Sequence, residues 1–141
     1  MSENRQATVP LVEENAASGR VAEIFADIKA TKGIDFVPNF WRTIAHDPAL
    51  LRRTWETLKE IMAPGALDPR TKEMIAVAVS ATNGCEYCIN AHTAAARRGG
   101  MTEEMLGELV AVVAMANETN ALVEAYQVEV DAKIYSVARG G

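Results

Sequence analysis

Residues 68–98 read DPRTKEMIAVAVSATNGCEYCINAHTAAARR, and how this stretch is parsed decides the fold. Asp68 followed by Pro69 marks a helix start. The carboxylate accepts orphan backbone N–H groups, and proline at the first helical position has no N–H to waste. The spacing predicts a helix from Pro69 to about Thr82, ended by Asn83-Gly84, a pair suited to a left-handed cap. A second helix opens at CEYC and ends at Arg97-Arg98-Gly99-Gly100. Beyond Arg70, Lys72 and Glu73, the run MIAVAVSA carries no charge on any face. A helix apolar all round is buried, in a core or between subunits.

The rest of the chain is punctuated in the same way, and alternating β-branched runs bounded by turns are missing. A helix is expected from about Gly19 to Thr31, with Val21, Ile24, Phe25 and Ile28 on one face. Gly33 ends it, and IDFVPNF (34–40) reads as a loop or short turn around Pro38. Asp47-Pro48 repeats the Asp-Pro start, opening a helix to about Met62 with Leu51, Trp55, Leu58 and Met62 in its stripe; APGA (63–66) interrupts. Thr102 caps a further helix, with Glu103 and Glu104 favourably placed in its first turn. Leu106, Leu109, Val110 and Val113 form its apolar side. A last helix is expected over about Thr119 to Ala138, with Leu122, Tyr126, Val130, Ile134 and Val137 as its stripe. The first dozen or so residues look frayed. The expectation is an all-α chain, a single-domain helical bundle of about six helices over residues 1–141, with 1–17 partly flexible.

Composition narrows the function classes. At 141 residues the chain suits one domain that buries a core without disulfide staples. Its 49% hydrophobic residues lean toward an oligomer. The start MSENRQATVP lacks the pattern of a signal peptide. The longest uncharged runs, 74–85 and 109–117, fall short of the roughly 20 apolar residues that span a bilayer. A net charge of -5 with interspersed signs leaves no nucleic-acid or membrane footprint. A soluble cytoplasmic protein is the expectation, and in a reducing compartment a CxxC is catalytic or metal-binding more often than structural.

Both cysteines of the chain, Cys85 and Cys88, lie in this CxxC, and His92 follows four residues later. On a helix, Cys85 and Cys88 project roughly 60° apart and Cys88 and His92 roughly 40°, so all three point to one side. Unsatisfied N–H groups and the positive dipole end at the helix start stabilise a thiolate, the reactive form. His92 is placed to accept or relay a proton. Haem attachment is excluded because Ile89, not histidine, follows the second cysteine. Zinc needs four ligands, and only Glu73 is at hand to join these three. A disulfide closing four residues constrains the unfolded chain little. Two buried cysteines serving as small hydrophobes is another reading. A redox-active pair is the favoured one. Glu73 either pairs with Arg70 or Lys72, or is buried by Ala76, Val77 and Ser80 so that its pKa rises and suits it to act as a base. His46, ahead of the Asp47 cap, is expected to pack or bond locally. Phe36, Phe40, Trp41 and Trp55 are candidates for core, interface or pocket walls.

The pattern of glutamate, eleven residues, cysteine, two residues, cysteine, three residues, histidine over Glu73–His92 resembles the AhpD-like alkylhydroperoxidase branch of the carboxymuconolactone decarboxylase family. VPNFWRTIAHDPALL, GALDPRTKE and AARRGGMTEEML extend the resemblance over about Val37 to Leu109. It implies an all-helical fold assembling as a homo-trimer or homo-hexamer, and a dithiol peroxidase acting on hydrogen peroxide or organic hydroperoxides without cofactor or metal. By position, Cys88 attacks the O–O bond, Cys85 resolves the sulfenic acid as a disulfide, and Glu73 and His92 relay protons. An external thiol or dithiol, a lipoyl protein among the candidates, then reduces the disulfide. Tyr87 departs from the pattern, standing where the best-known peroxidatic members carry a second histidine. Two other functions fit the same residues: a thiol–disulfide oxidoreductase acting on a protein or lipoyl partner, and a non-catalytic oligomeric family member.

Overall fold

A computed structural model describes residues 5–140, and every regular element among them is helical. The chain forms two compact units, divided between Ala63 and Pro64, where APGA interrupts the helical pattern.

The N-terminal unit holds α1 (Gly19–Lys32), α2 (Asn39–Ile44) and α3 (Pro48–Met62), preceded by a single 3₁₀ turn at Glu14–Ala16. Its core gathers Ile24, Phe25 and Ile28 of α1, Val37, Trp41 and Ala45 around α2, and Leu51 and Trp55 of α3. The rings of Trp41 and Trp55 meet edge to face at 5.2 Å, a geometry that the aromatic quadrupole favours. Phe36 and Phe40 remain exposed. The segment expected as a loop around Pro38 contains α2, because the Pro38 carbonyl accepts from the N–H groups of Trp41 and Arg42 and starts a short helix that buries Trp41.

Residues 1–4 of the segment expected to be partly flexible lie outside the described residues. From Pro10 onward that segment is tied down. Val12 and Arg42 exchange hydrogen bonds through the Val12 N–H and carbonyl, each 3.1 Å, and His46 Nε2–H donates to the Pro10 carbonyl. Glu14 accepts from the Val37 N–H and from Lys29 Nζ, both at 3.0 Å, and these donors hold its carboxyl below the usual range. In the same unit Asp27 accepts from Lys59 Nζ at 2.8 Å and from Trp55 Nε1–H at 2.7 Å. The two donors lower the Asp27 pKa, Lys59 most.

The C-terminal unit holds α4 (Pro69–Asn83), α5 (Glu86–Arg98), α6 (Glu103–Ala125) and α7 (Ala132–Ala138), so seven α-helices are present among the described residues where about six are expected. Asp68 and Thr102 cap α4 and α6 through Thr71 N–H and Met105 N–H. α4 packs chiefly against α5 and also against α6. The break expected before Thr119 does not occur. Asn117 Nδ2 donates to the Val113 carbonyl and to Thr82 Oγ1, and Thr119 Oγ1 donates to the Ala116 carbonyl. Their polar groups thus bond backward along the helix or across to α4 instead of capping a new start, and α6 runs on for 23 residues. The length and mean hydropathy of 1.2 suffice for a membrane crossing, although the uncharged runs alone fall short; none of that window is buried here.

On α4, Val77 and Ser80 are buried while Ile75 and Val79 stay open, so the expected burial is met on one side only. Val110, Val112, Met115, Leu122, Ile134 and Val137 of α6 and α7 are also exposed.

Candidate active site

Three local devices place the sulfur atoms. Gly84 ends α4 in the left-handed region, φ +69°, and turns the chain sharply. The Cys85 N–H donates to the Ser80 carbonyl at 3.0 Å, anchoring the turn to a buried point of α4. Cys85 then becomes the N-cap of α5, its Sγ accepting from the Cys88 N–H at 3.3 Å. Sulfur thus does the work usually given to a serine or aspartate oxygen at a helix start. Ser80 is a positioning residue with no signal in the sequence, since it acts through its backbone.

Neither cysteine is in a disulfide, and both are half-buried. Cys88 follows one turn into α5, and its thiol is pushed up to about 11. The largest cause is its hydrogen bond with Cys85, followed by burial and by the charge on Cys85. The helix start expected to favour a thiolate therefore does not lower the Cys88 thiol, since negative charge beside a neighbouring sulfur and partial burial both oppose it.

One turn further along α5, His92 Nδ1–H donates to Glu73 Oε2 on α4 at 2.7 Å. The side chains are 24% exposed for His92 and 16% for Glu73. Glu73 thus pairs with the imidazole rather than with Arg70 or Lys72. A carboxylate only accepts, so the contact assigns the proton to Nδ1 and leaves Nε2 free for proton exchange. Residues 19 apart in sequence are brought together because Gly84 folds α5 back along α4. All four residues expected at the site belong to this unit. His46 and its Pro10 contact lie in the N-terminal unit. Among the described residues, no group of three or more His, Cys, Asp or Glu is arranged to hold a metal ion.

The site is thus a helical hairpin with two thiols at its turn and a carboxylate–imidazole pair one turn along. The carboxymuconolactone decarboxylase family model matches residues 48–129, more than half of the chain. The crystal structure of an alkylhydroperoxidase AhpD core from Rhodospirillum rubrum superimposes with a TM-score of 0.88 at 50% identity, over 93% of this chain and 98% of that one. An alkyl hydroperoxide reductase of Mycobacterium tuberculosis is 31% identical over 110 residues, 78% of this chain and 31% of that protein. The alkyl hydroperoxide reductase AhpD of Rhodococcus erythropolis is 39% identical over 71 residues, 46% of this chain and 39% of that protein. The chain is an AhpD-like member of the carboxymuconolactone decarboxylase family, and it spans well under half the length of these two curated reductases.

Proposed function

We propose that the protein is a dithiol peroxidase that reduces hydrogen peroxide or organic hydroperoxides with the Cys85–Cys88 pair. The observation that carries the reading is the Glu73–His92 hydrogen bond at 2.7 Å on the helix that bears both sulfurs. One sulfur, as thiolate, attacks a peroxide oxygen; the S–O bond forms, the O–O bond breaks and an alkoxide or hydroxide leaves with a proton. The second sulfur displaces hydroxide from the sulfenic acid, giving a disulfide and water. Glu73 orients His92 and compensates its charge, and His92 Nε2 gives and takes the protons. An external dithiol, a lipoyl protein among the candidates, returns two electrons and two protons.

The exposed apolar side chains of α4, α6 and α7 favour a homo-oligomer, a trimer or hexamer by family resemblance, since large contiguous apolar patches are uncommon on monomers. The need for a thiol reductant favours the cytoplasm. The test is peroxide-dependent thiol loss by the wild type and by Cys85→Ser and Cys88→Ser. The wild type is expected to lose both thiols per peroxide, with disulfide formation abolished in each variant. Equal, slow consumption by all three overturns the reading.

A further inference from the structure

We propose that Asn117 is a positioning residue for the sulfur pair: acting through Thr82, it holds the end of α4, and with it Cys85, in the dithiol arrangement and so makes the Cys85–Cys88 disulfide easier to reduce. The inference rests on the reading of the two cysteines as a redox pair. It begins at a seam between two helices. Met74 and Ala78 of α4 and Met105, Leu109 and Val113 of α6 line one apolar groove. Residues four apart share a helix face, so the next positions along the two stripes are Thr82 and Asn117. There the seam turns polar. Asn117 Nδ2 donates to Thr82 Oγ1 at 3.1 Å and to the Val113 carbonyl at 2.8 Å. An amide nitrogen carries two N–H donors, and both are committed. The bond within α6 fixes the side chain, and the bond to α4 then admits one register, as a lone asparagine does in an otherwise apolar helix seam. Asparagine is a poorer helix former than alanine or leucine, and this clasp accounts for its place inside a 23-residue helix.

Thr82 belongs to the last turn of α4, the turn that sets where Cys85 lies. The Gly84 N–H donates to the Ala81 carbonyl at 3.3 Å and the Cys85 N–H to the Ser80 carbonyl at 3.0 Å. Cys88 is placed separately, by the body of α5, which packs along α4 and ties His92 to Glu73. In the dithiol form the two sulfurs are hydrogen-bonded, farther apart than a covalent bond between them allows. Oxidation removes two electrons and two protons from the pair, forms the S–S bond and draws the sulfurs together. The end of α4 or the start of α5 has to give way. By resisting movement of α4, the clasp disfavours the disulfide relative to the dithiol, and an external dithiol returns the two electrons and two protons more readily.

The test is a redox titration. Reduced protein is equilibrated without air at pH 7 with graded ratios of oxidised to reduced dithiothreitol, each oxidised molecule taking two electrons and two protons from the cysteine pair. The mixture is quenched in acid and alkylated, and the masses give the fraction oxidised. Asn117→Ala and Thr82→Val should each reach half-oxidation at a ratio about two- to tenfold lower than the wild type, the effect of losing one hydrogen bond. The double variant should shift no further than either single one, because both remove the same contact. Thr82→Ser keeps the acceptor hydroxyl and should titrate with the wild type. Thr82→Val is nearly isosteric and leaves the Asn117–Val113 bond in place, so it decides the matter if circular dichroism shows Asn117→Ala unfolded. Midpoints that stay put while melting temperatures fall make the clasp purely structural and overturn the inference. Midpoints that move the other way, or shifts that multiply in the double variant, overturn it too. A wild type that forms the disulfide beside unshifted variants sinks the positioning role alone. A wild type that forms none, with dithiothreitol or with hydrogen peroxide, brings down the peroxidase reading as well.

Discussion

Replacing Glu73 by glutamine is the most informative change to the proton-handling part of the site. Glutamine has nearly the same shape and its amide oxygen still accepts from His92 Nδ1–H, so the α4–α5 contact survives while the charge is lost. The bond is 2.7 Å long between side chains 24% and 16% exposed, short and only partly screened by water. A hydrogen bond to a charged group contributes about 1.5–3 kcal/mol. If His92 passes through its protonated form in the slow step, the loss corresponds to a rate decrease of about 10- to 100-fold. The assay is single-turnover disulfide formation after mixing reduced protein with peroxide, read by quenched alkylation and mass. A double-mutant cycle sharpens it: in a His92→Asn background, Glu73→Gln should cost almost nothing further, because the carboxylate acts only through the ring. Rates unchanged by Glu73→Gln, or penalties that multiply in the double variant, would refute the relay.

Two predictions concern stability. Asp27→Ala removes the acceptor of the buried Trp55 indole N–H, and an unsatisfied donor costs about 1–3 kcal/mol, whereas the exposed Lys59 contact adds little. For a chain of 141 residues that lowers the melting temperature by about 3–10 °C. Because the folded Asp27 pKa is depressed, its contribution is present above the unfolded carboxylate value and lost as pH falls below about 4. The variant and wild type should therefore converge in acid, and a constant gap in melts across pH 3–7 contradicts this. Gly84→Ala places a Cβ at φ +69° with no steric neighbour, so the cost is the backbone term of about 1–2 kcal/mol alone, and Gly84→Asn should lose less. Equal losses in denaturant titrations would show that the left-handed turn is not what glycine supplies.

What the chain discloses without coordinates depends on the range of each interaction. The Asp47-Pro48 and Asp68-Pro69 starts and the Asn83-Gly84 stop are local devices, and they mark α3 and α4 to within a residue. The common side of Cys85, Cys88 and His92 follows from helical spacing. The Glu73–His92 contact spans 19 residues and two helices; only family resemblance pointed to it. Two elements differ from the expectation for physical reasons. α2 is six residues long, too short for a periodic pattern to declare itself. Thr119 has the chemistry of a cap, yet its hydroxyl turns back to Ala116 within α6. The raised proton affinity of the Cys88 thiol is least legible, because it depends on its hydrogen bond with the Cys85 sulfur.

The sulfur at the tip of α5 has a structural duty as well as a chemical one. As a thiolate it is a strong acceptor for the Cys88 amide hydrogen; drawn into a disulfide it is a weak one. In the proposed cycle the opening turn of the helix is therefore fastened more tightly while Cys85 is a thiolate than while it is held in the disulfide. Exchange of that single amide with deuterated solvent would report the oxidation state of the pair, making the backbone itself a gauge of how recently the site was recharged.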